Sequence, residues 1–248
     1  GERVVRRLID GTLSQDPWTI GEEFVRGDAL TRATDRAKEL LMRQQPRQAF
    51  EAVAAVLDQI ERSGRYRDTE RVKYRYFNSY IERALFNRMQ AAAGDASTIL
   101  LVPDAYYEAH LIVSAASLMT GDTTRAIAHA GLWRSFAPMD ARSYLHLASC
   151  LDVVDSNQEA IDCLCELLER AHDPMGVGFG YYRMAYFQWK SGNIAAAQAC
   201  YKLAMQFVPG ALPMVVMELM VLHLQHGDEL APDLPREEAE RVCGAHGI

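Results

Sequence analysis

From about residue 28 onward, apolar residues recur every three or four positions, the spacing that puts them on one face of a helix. The runs are rich in Ala, Leu and Met, which favour helix, and few stretches alternate in the strand fashion. The pattern predicts helices near 28–44, 46–62, 67–91, 104–119, 122–136, 141–154, 157–171, 178–191, 194–207, 212–226 and 235–245. Between them lie short breaks: GDT, APMD, VDSN, SGN, FVPGA and HGD. Breaks this short make consecutive helices antiparallel neighbours, so the expected fold class is all-α.

The breaks recur. Gly121-Asp122, Asp155-Ser156, Gly192-Asn193 and Gly227-Asp228 are 34, 37 and 35 residues apart, a period that points to a solenoid. The clearest copy is SGNIAAAQACYKLAMQFVP, residues 191–209. Gly192 suits the left-handed end of one helix and Asn193 the cap of the next. Ala185 and Ala197 allow two backbones to approach closely, Tyr201 fills the next layer, and Pro209 stops the second helix. Ala185, Ala197, Tyr201, Ala204 and Pro209 stand at the offsets of a tetratricopeptide repeat, and this stretch resembles the second half of that unit. The resemblance implies a right-handed superhelix of stacked antiparallel helix pairs.

Units at 107–140 and 141–174 carry the same pattern less completely. Trp133 replaces a small residue in the first. In the second Pro174 falls two positions late, and MGVG reads as extra linker. A last unit opens near 213, and Pro232 and Pro235 break its second helix. The resemblance is strong over about 104–227, weak over 28–63 and absent over 1–27. The long helix expected at 67–91 lacks a partner, so either ASTILLV substitutes for a helix or the pairing is reset. The division is therefore an N-terminal extension (1–27) that could pack on the solenoid, a divergent helical part (28–103), the recognisable units (104–227) and a capping helix (228–248).

Composition adds bounds. The chain has 248 residues, 49% hydrophobic and 24% charged, which supports a core and argues against disorder. Net charge is −7, but residues 1–90 carry 17 Lys/Arg against 14 Asp/Glu, and residues 91–248 carry 9 against 19. That balance disfavours a general nucleic-acid binder. The five cysteines are irregularly spaced and sit mostly in apolar helical runs, which suggests free thiols and a cytoplasmic location. Nothing approaches a membrane span of ~18 uncharged apolar residues.

Motifs for chemistry are sparse. His223-x-x-His226 has metal-compatible spacing but supplies only two ligands. Cys163-x-Cys165 puts its thiols on different helix faces. GVGFG at 176–180 follows a helix and a proline instead of a strand, so a phosphate loop is not expected. RSGRYRDTERVKYRYF at 62–77 interleaves Arg67, Arg71, Arg75 and Lys73 with tyrosines, but Asp68 and Glu70 dilute its charge. No cofactor, metal or catalytic group is expected.

The repeat resemblance instead implies a concave groove lined by the first helix of each unit. Its register nominates Arg142, Asp152, Phe179, Tyr182, Tyr186, Trp189, Lys190, Met217 and Leu224, with Met214 and Val221 at the matching positions of the last unit. Aromatics, Met and Arg are enriched at protein interfaces. The expected function is a non-catalytic scaffold or adaptor binding a protein or peptide segment. The alternatives are a regulatory or sensor module of a larger protein, such as a transcriptional one, and a homo-oligomerisation domain. WTIGEEF at 18–24 is a candidate for occupying the groove in cis.

Overall fold

The computed structural model describes residues 2–9, 11, 13–25, 28–208, 212–231 and 234–248. The described helices are α1 (Glu2–Ile9), α2 (Pro17–Val25), α3 (Ala29–Met42), α4 (Pro46–Arg62), α5 (Tyr80–Ala92), α6 (Asp104–Met119), α7 (Thr123–Phe136), α8 (Ala141–Val153), α9 (Asn157–Arg170), α10 (Pro174–Lys190), α11 (Ile194–Phe207), α12 (Leu212–His226) and α13 (Arg236–Ala245). Strands β1 (Val72–Arg75) and β2 (Thr98–Leu101) form a two-stranded sheet. The chain is all-α apart from that small sheet.

Helices pack in chain order from α6 to α12, and α13 folds back onto α11. The C-terminal ends of α3, α5, α6, α8 and α10 share one device. Gln44, Gly94, Gly121, Asp155 and Gly192 each take positive φ, between 55° and 83°. The next N–H then donates five residues back: Gln45 to Leu40, Asp95 to Gln90, Asp122 to Ser117, Ser156 to Leu151 and Asn193 to Gln188, all within 3.1 Å. This bond satisfies carbonyls that the helix end would leave open. Asp28, Ser79, Asp122, Asp140 and Asp173 cap the helices that follow by accepting backbone N–H bonds. Asn193 does not cap in this way: its side-chain amide donates to Gln188 Oε1 at 2.8 Å and ties the turn to the preceding helix. Pro209 and Pro232 lie outside the described residues.

Two sequence expectations are corrected. Residues 67–91 are not one helix: they contain a turn, β1 and all but the last residue of α5. β1 pairs with β2 in parallel, Val72 opposite Thr98 through Arg75 opposite Leu101, so α5 is the crossover helix that a parallel pair requires. ASTILLV therefore supplies a strand, and α4 packs directly on α6 past this insertion. Tyr74 and Tyr76 belong to β1 and its end, and Tyr76 N–H donates to Phe136 O at 2.7 Å, tying the insertion to α7.

The second correction concerns GVGFG. It is not a linker but the first turns of α10, with Gly176, Gly178 and Gly180 all buried. A Cβ on Gly178 would stand 2.1 Å from Val208 Cγ2 and 3.0 Å from Phe207 Cβ. The glycines leave room for the side chains of α9, the start of α8 and the end of α11 that press against α10, a contact that periodicity does not report. Ala185, Ala196, Ala197, Ala199 and Cys200, all fully buried, extend that close approach along α10 and α11.

The core runs through α7–α13, with Tyr144, Leu164, Leu167, Met184, Phe187 and Tyr201 at its centre. A second cluster joins α3, α4 and α6 through Leu40, Val53, Leu57, Tyr106 and Ile112. Trp133 lies between Tyr107 and His146, filling the volume that the small residue of other units leaves.

Candidate functional site

The nominated groove residues sit on α8, α10 and α12, but the structure divides them into environments of different kinds. Arg142 and Phe179 meet in an open cleft of about 500 Å³, lined also by Asn78, Asp140, Leu145 and Met175. Arg142 is not free to bind a carboxylate there. Its guanidinium donates to Asp140 Oδ1 at 3.0 Å, to Tyr107 Oη at 2.8 Å and to Asn78 Oδ1 at 3.0 Å. Tyr107 donates its hydroxyl to Asp140. Burial pushes Asp140 up, but the bonds from Arg142 and Tyr107 outweigh it and hold the carboxyl below its ordinary range. Burial, then the Asp140 charge, raises Tyr107 above a normal phenol.

Asp152, Tyr186 and Lys190 form a second group, bridging α8 and α10. Lys190 Nζ lies 2.9 Å from Asp152 Oδ1 and 2.8 Å from Asp155 Oδ1. Arg183 reaches Asp152 at 3.7 Å and stacks over Tyr186 at 4.8 Å. Both carboxylates raise Lys190, so it stays cationic and engaged. Tyr186 and Trp189 are half-buried against the core.

Tyr182 departs from the expectation most. It is buried, and its hydroxyl donates to Glu218 Oε1 at 2.5 Å, while Tyr201 donates to Glu218 Oε2 at 2.5 Å. The two tyrosines and Glu218 clamp α12 to α10 and α11, so Tyr182 serves internal packing and presents no surface to a partner.

Met217 and Leu224 are open. Their helix α12 buries Val215 and Leu222 and exposes Met214, Val216, Met217, Met220, Val221 and Leu224, with Leu224 84% accessible. Met214, Met217, Val221 and Leu224 follow at i, i+3, i+7 and i+10, a single stripe. Val216 and Met220, exposed on the same helix, were outside the groove register; the signal for them was the all-round apolar character of VVMELMVLHL. Trp18 is 84% accessible, so it does not fill the groove in cis, and the side chains of residues 22–24 lie outside the described set.

Other candidate chemistry is tied up. Arg75 pairs with Asp68 at 2.8 Å and Lys73 with Asp95 at 2.5 Å, so the basic run is partly neutralised. Arg67, Arg71 and Arg75 do not share a helix face, because no helix runs through them. His226 Nδ1 faces Glu229 at 3.0 Å. Ser114 contacts His146 Nε2 at 2.8 Å, a nucleophile–base distance, but it is fully buried and spends its proton on Ala126 O at 2.7 Å. The imidazole is therefore the donor to Ser114, and the pair is structural. Among the described residues, no helix is long and apolar enough to cross a membrane.

In sequence comparisons no protein-family model matches the chain, and no curated protein matches it.

Proposed function

We propose that this chain is a non-catalytic interaction module, a tetratricopeptide-like right-handed superhelix that binds an amphipathic helical segment of another protein along α12 and the adjoining end of α10. The observation that carries the reading is the exposed stripe of Met214, Met217, Val221 and Leu224. Contiguous apolar surface of this kind marks interaction sites, and Met side chains adapt to varied partner shapes. Residues 91–248 carry 9 Lys/Arg against 19 Asp/Glu, which favours a partner helix with basic flanks. Tyr186 and Trp189, on α10, are half-buried aromatics, the type that anchors interfaces. The paired charges of the basic run support protein over nucleic acid as partner. The five free thiols suit a reducing compartment, and we place the protein in the cytoplasm.

A second reading, self-association, is favoured by the same stripe, since an uncharged apolar face is self-complementary about a two-fold axis. The test places a photo-crosslinker at Met214 and at Met217 in cell extract. Crosslinks to apolar, basic-flanked helices of another protein, lost in Tyr186→Ala/Trp189→Ala, support the first reading. Crosslinks confined to this chain support the second. Capture unaltered by that double variant refutes the groove.

A further inference from the structure

The sharpest unexplained chemistry lies away from α12, where α4, α6 and α7 meet. His110 is fully buried on α6, with its ring packed edge-on against Tyr106 at 4.8 Å and beside Phe136 at 5.5 Å. Its Nδ1 lies 3.1 Å from Nδ1 of His129 on α7. Its Nε2 has no hydrogen-bond partner and lies 3.6 Å from Oε1 of Glu61, at the end of α4. One nitrogen from each imidazole and one Glu61 oxygen lie within 4.8 Å of one another.

A 3.6 Å gap is too long for a hydrogen bond. It is close to the edge of a zinc tetrahedron, where ligand atoms ~2.1 Å from the ion stand about 3.4 Å apart. His110 is inaccessible, and an unpartnered polar atom at such a place is unfavourable unless something compensates it. Glu61, 32% accessible in its side chain, and half-buried His129 leave the site open on one side. Glu61 is at the last turn of α4, so its side chain can adjust toward the ion without disturbing the core.

We propose that Glu61, His110 and His129 form a binding site for a zinc-class divalent cation, with two imidazoles, one carboxylate and an open fourth position. The ion engages Nε2 of His110, the nitrogen that faces Glu61, and His129 joins it by giving up its contact with Nδ1 of His110; so bound, the ion staples α4 to the α6–α7 pair. His129 and Glu61 come from helices separated by the β1–α5–β2 insertion, so the site forms only once α4 has docked past it. This assignment is independent of the groove and its partner.

The test uses the full chain, free of any affinity tag and stripped by chelator, titrated with Co²⁺ as a spectroscopic substitute for Zn²⁺. The expected result is one equivalent bound, a visible d–d band without a thiolate charge-transfer band, displacement by Zn²⁺, and a Zn²⁺-dependent rise in melting temperature. Glu61→Gln and His129→Gln avoid the buried ligand; with helical CD unchanged, each should weaken binding at least about ten-fold. His223→Ala/His226→Ala should bind as the parent does. Absence of a saturable one-to-one site, unaltered binding by both ligand variants, a thiolate band, or loss of binding in the His223/His226 variant would each overturn the assignment.

Discussion

Replacing Gly178 by Ala tests whether residues 176–180 are packed helix or spacer. Ala gains about 1 kcal/mol over Gly in a helix interior. Against that, its Cβ would stand 2.1 Å from Val208 Cγ2. Rotating the valine does not clear the overlap, because Phe207 Cβ at 3.0 Å and Val208 Cβ at 3.2 Å sit next to backbone. α10 and the end of α11 must separate, and overpacking of this kind costs about 3 kcal/mol. The net loss is about 2 kcal/mol, or roughly 4–8 °C in melting temperature for a chain of this size. Two controls calibrate it. Gly180→Ala meets only the mobile end of Leu168, at 2.9 Å, and should be near neutral. Gly131, in α7, has nothing within 4 Å of its Cβ position, so Gly131→Ala should stabilise by about 0.5–1 kcal/mol. Urea unfolding followed by far-UV CD reads all three. A Gly178→Ala protein as stable as the parent refutes the packing argument, because a spacer or an exposed helix would tolerate or welcome the methyl group.

Gln44 holds the left-handed turn position that glycine holds at 121 and 192, so Gln44→Gly should raise stability by about 0.5–1 kcal/mol in thermal melts. Glu218→Ala leaves the hydroxyls of Tyr182 and Tyr201 without their acceptor and should cost about 2–3 kcal/mol, with faster amide exchange across α12. His146 is held neutral by burial, so its folded pKa lies below its unfolded one. Stability from this group is complete above the ordinary imidazole range near ~6.5 and falls as the pH drops below it, because the unfolded chain takes up a proton that the folded one resists. An NMR titration should find its midpoint depressed; a midpoint at or above the ordinary value would contradict the burial argument. Cys150, Cys163, Cys200 and Cys243 are buried and Cys165 is partly open, so native thiol labelling should modify Cys165 first.

How far the sequence carries is visible residue by residue. Helix identity from α6 to α13 followed from apolar periodicity, and the turns from glycine, because both are local properties. Left-handed turns needed no partner to be recognised at Gly121 and Gly192, and the same logic extended to Asp155. Periodicity failed at residues 67–91, where a strand and a crossover helix together carry helix-like spacing; the strand exists only because residues 98–101 pair with it. It failed again at Gly176, Gly178 and Gly180, whose low helix propensity is outweighed by the close packing they permit. The nominated groove was legible as an interface-like composition, but Tyr182 is spent on Glu218 and Arg142 on Asp140, contacts made between helices 36 and within turns 2 residues apart. Glu61, His110 and His129 had no motif, since they lie 49 and 19 residues apart in the chain.

The sequence by itself therefore determined an all-α chain, most of its helices from α6 to α13 and its repeating turns, since those depend on neighbours within a few residues. Only the tertiary structure decided which polar groups are spent internally, which apolar face of α12 stays open, and which distant ligand-bearing side chains converge, since each depends on how helices far apart in sequence come to rest against one another.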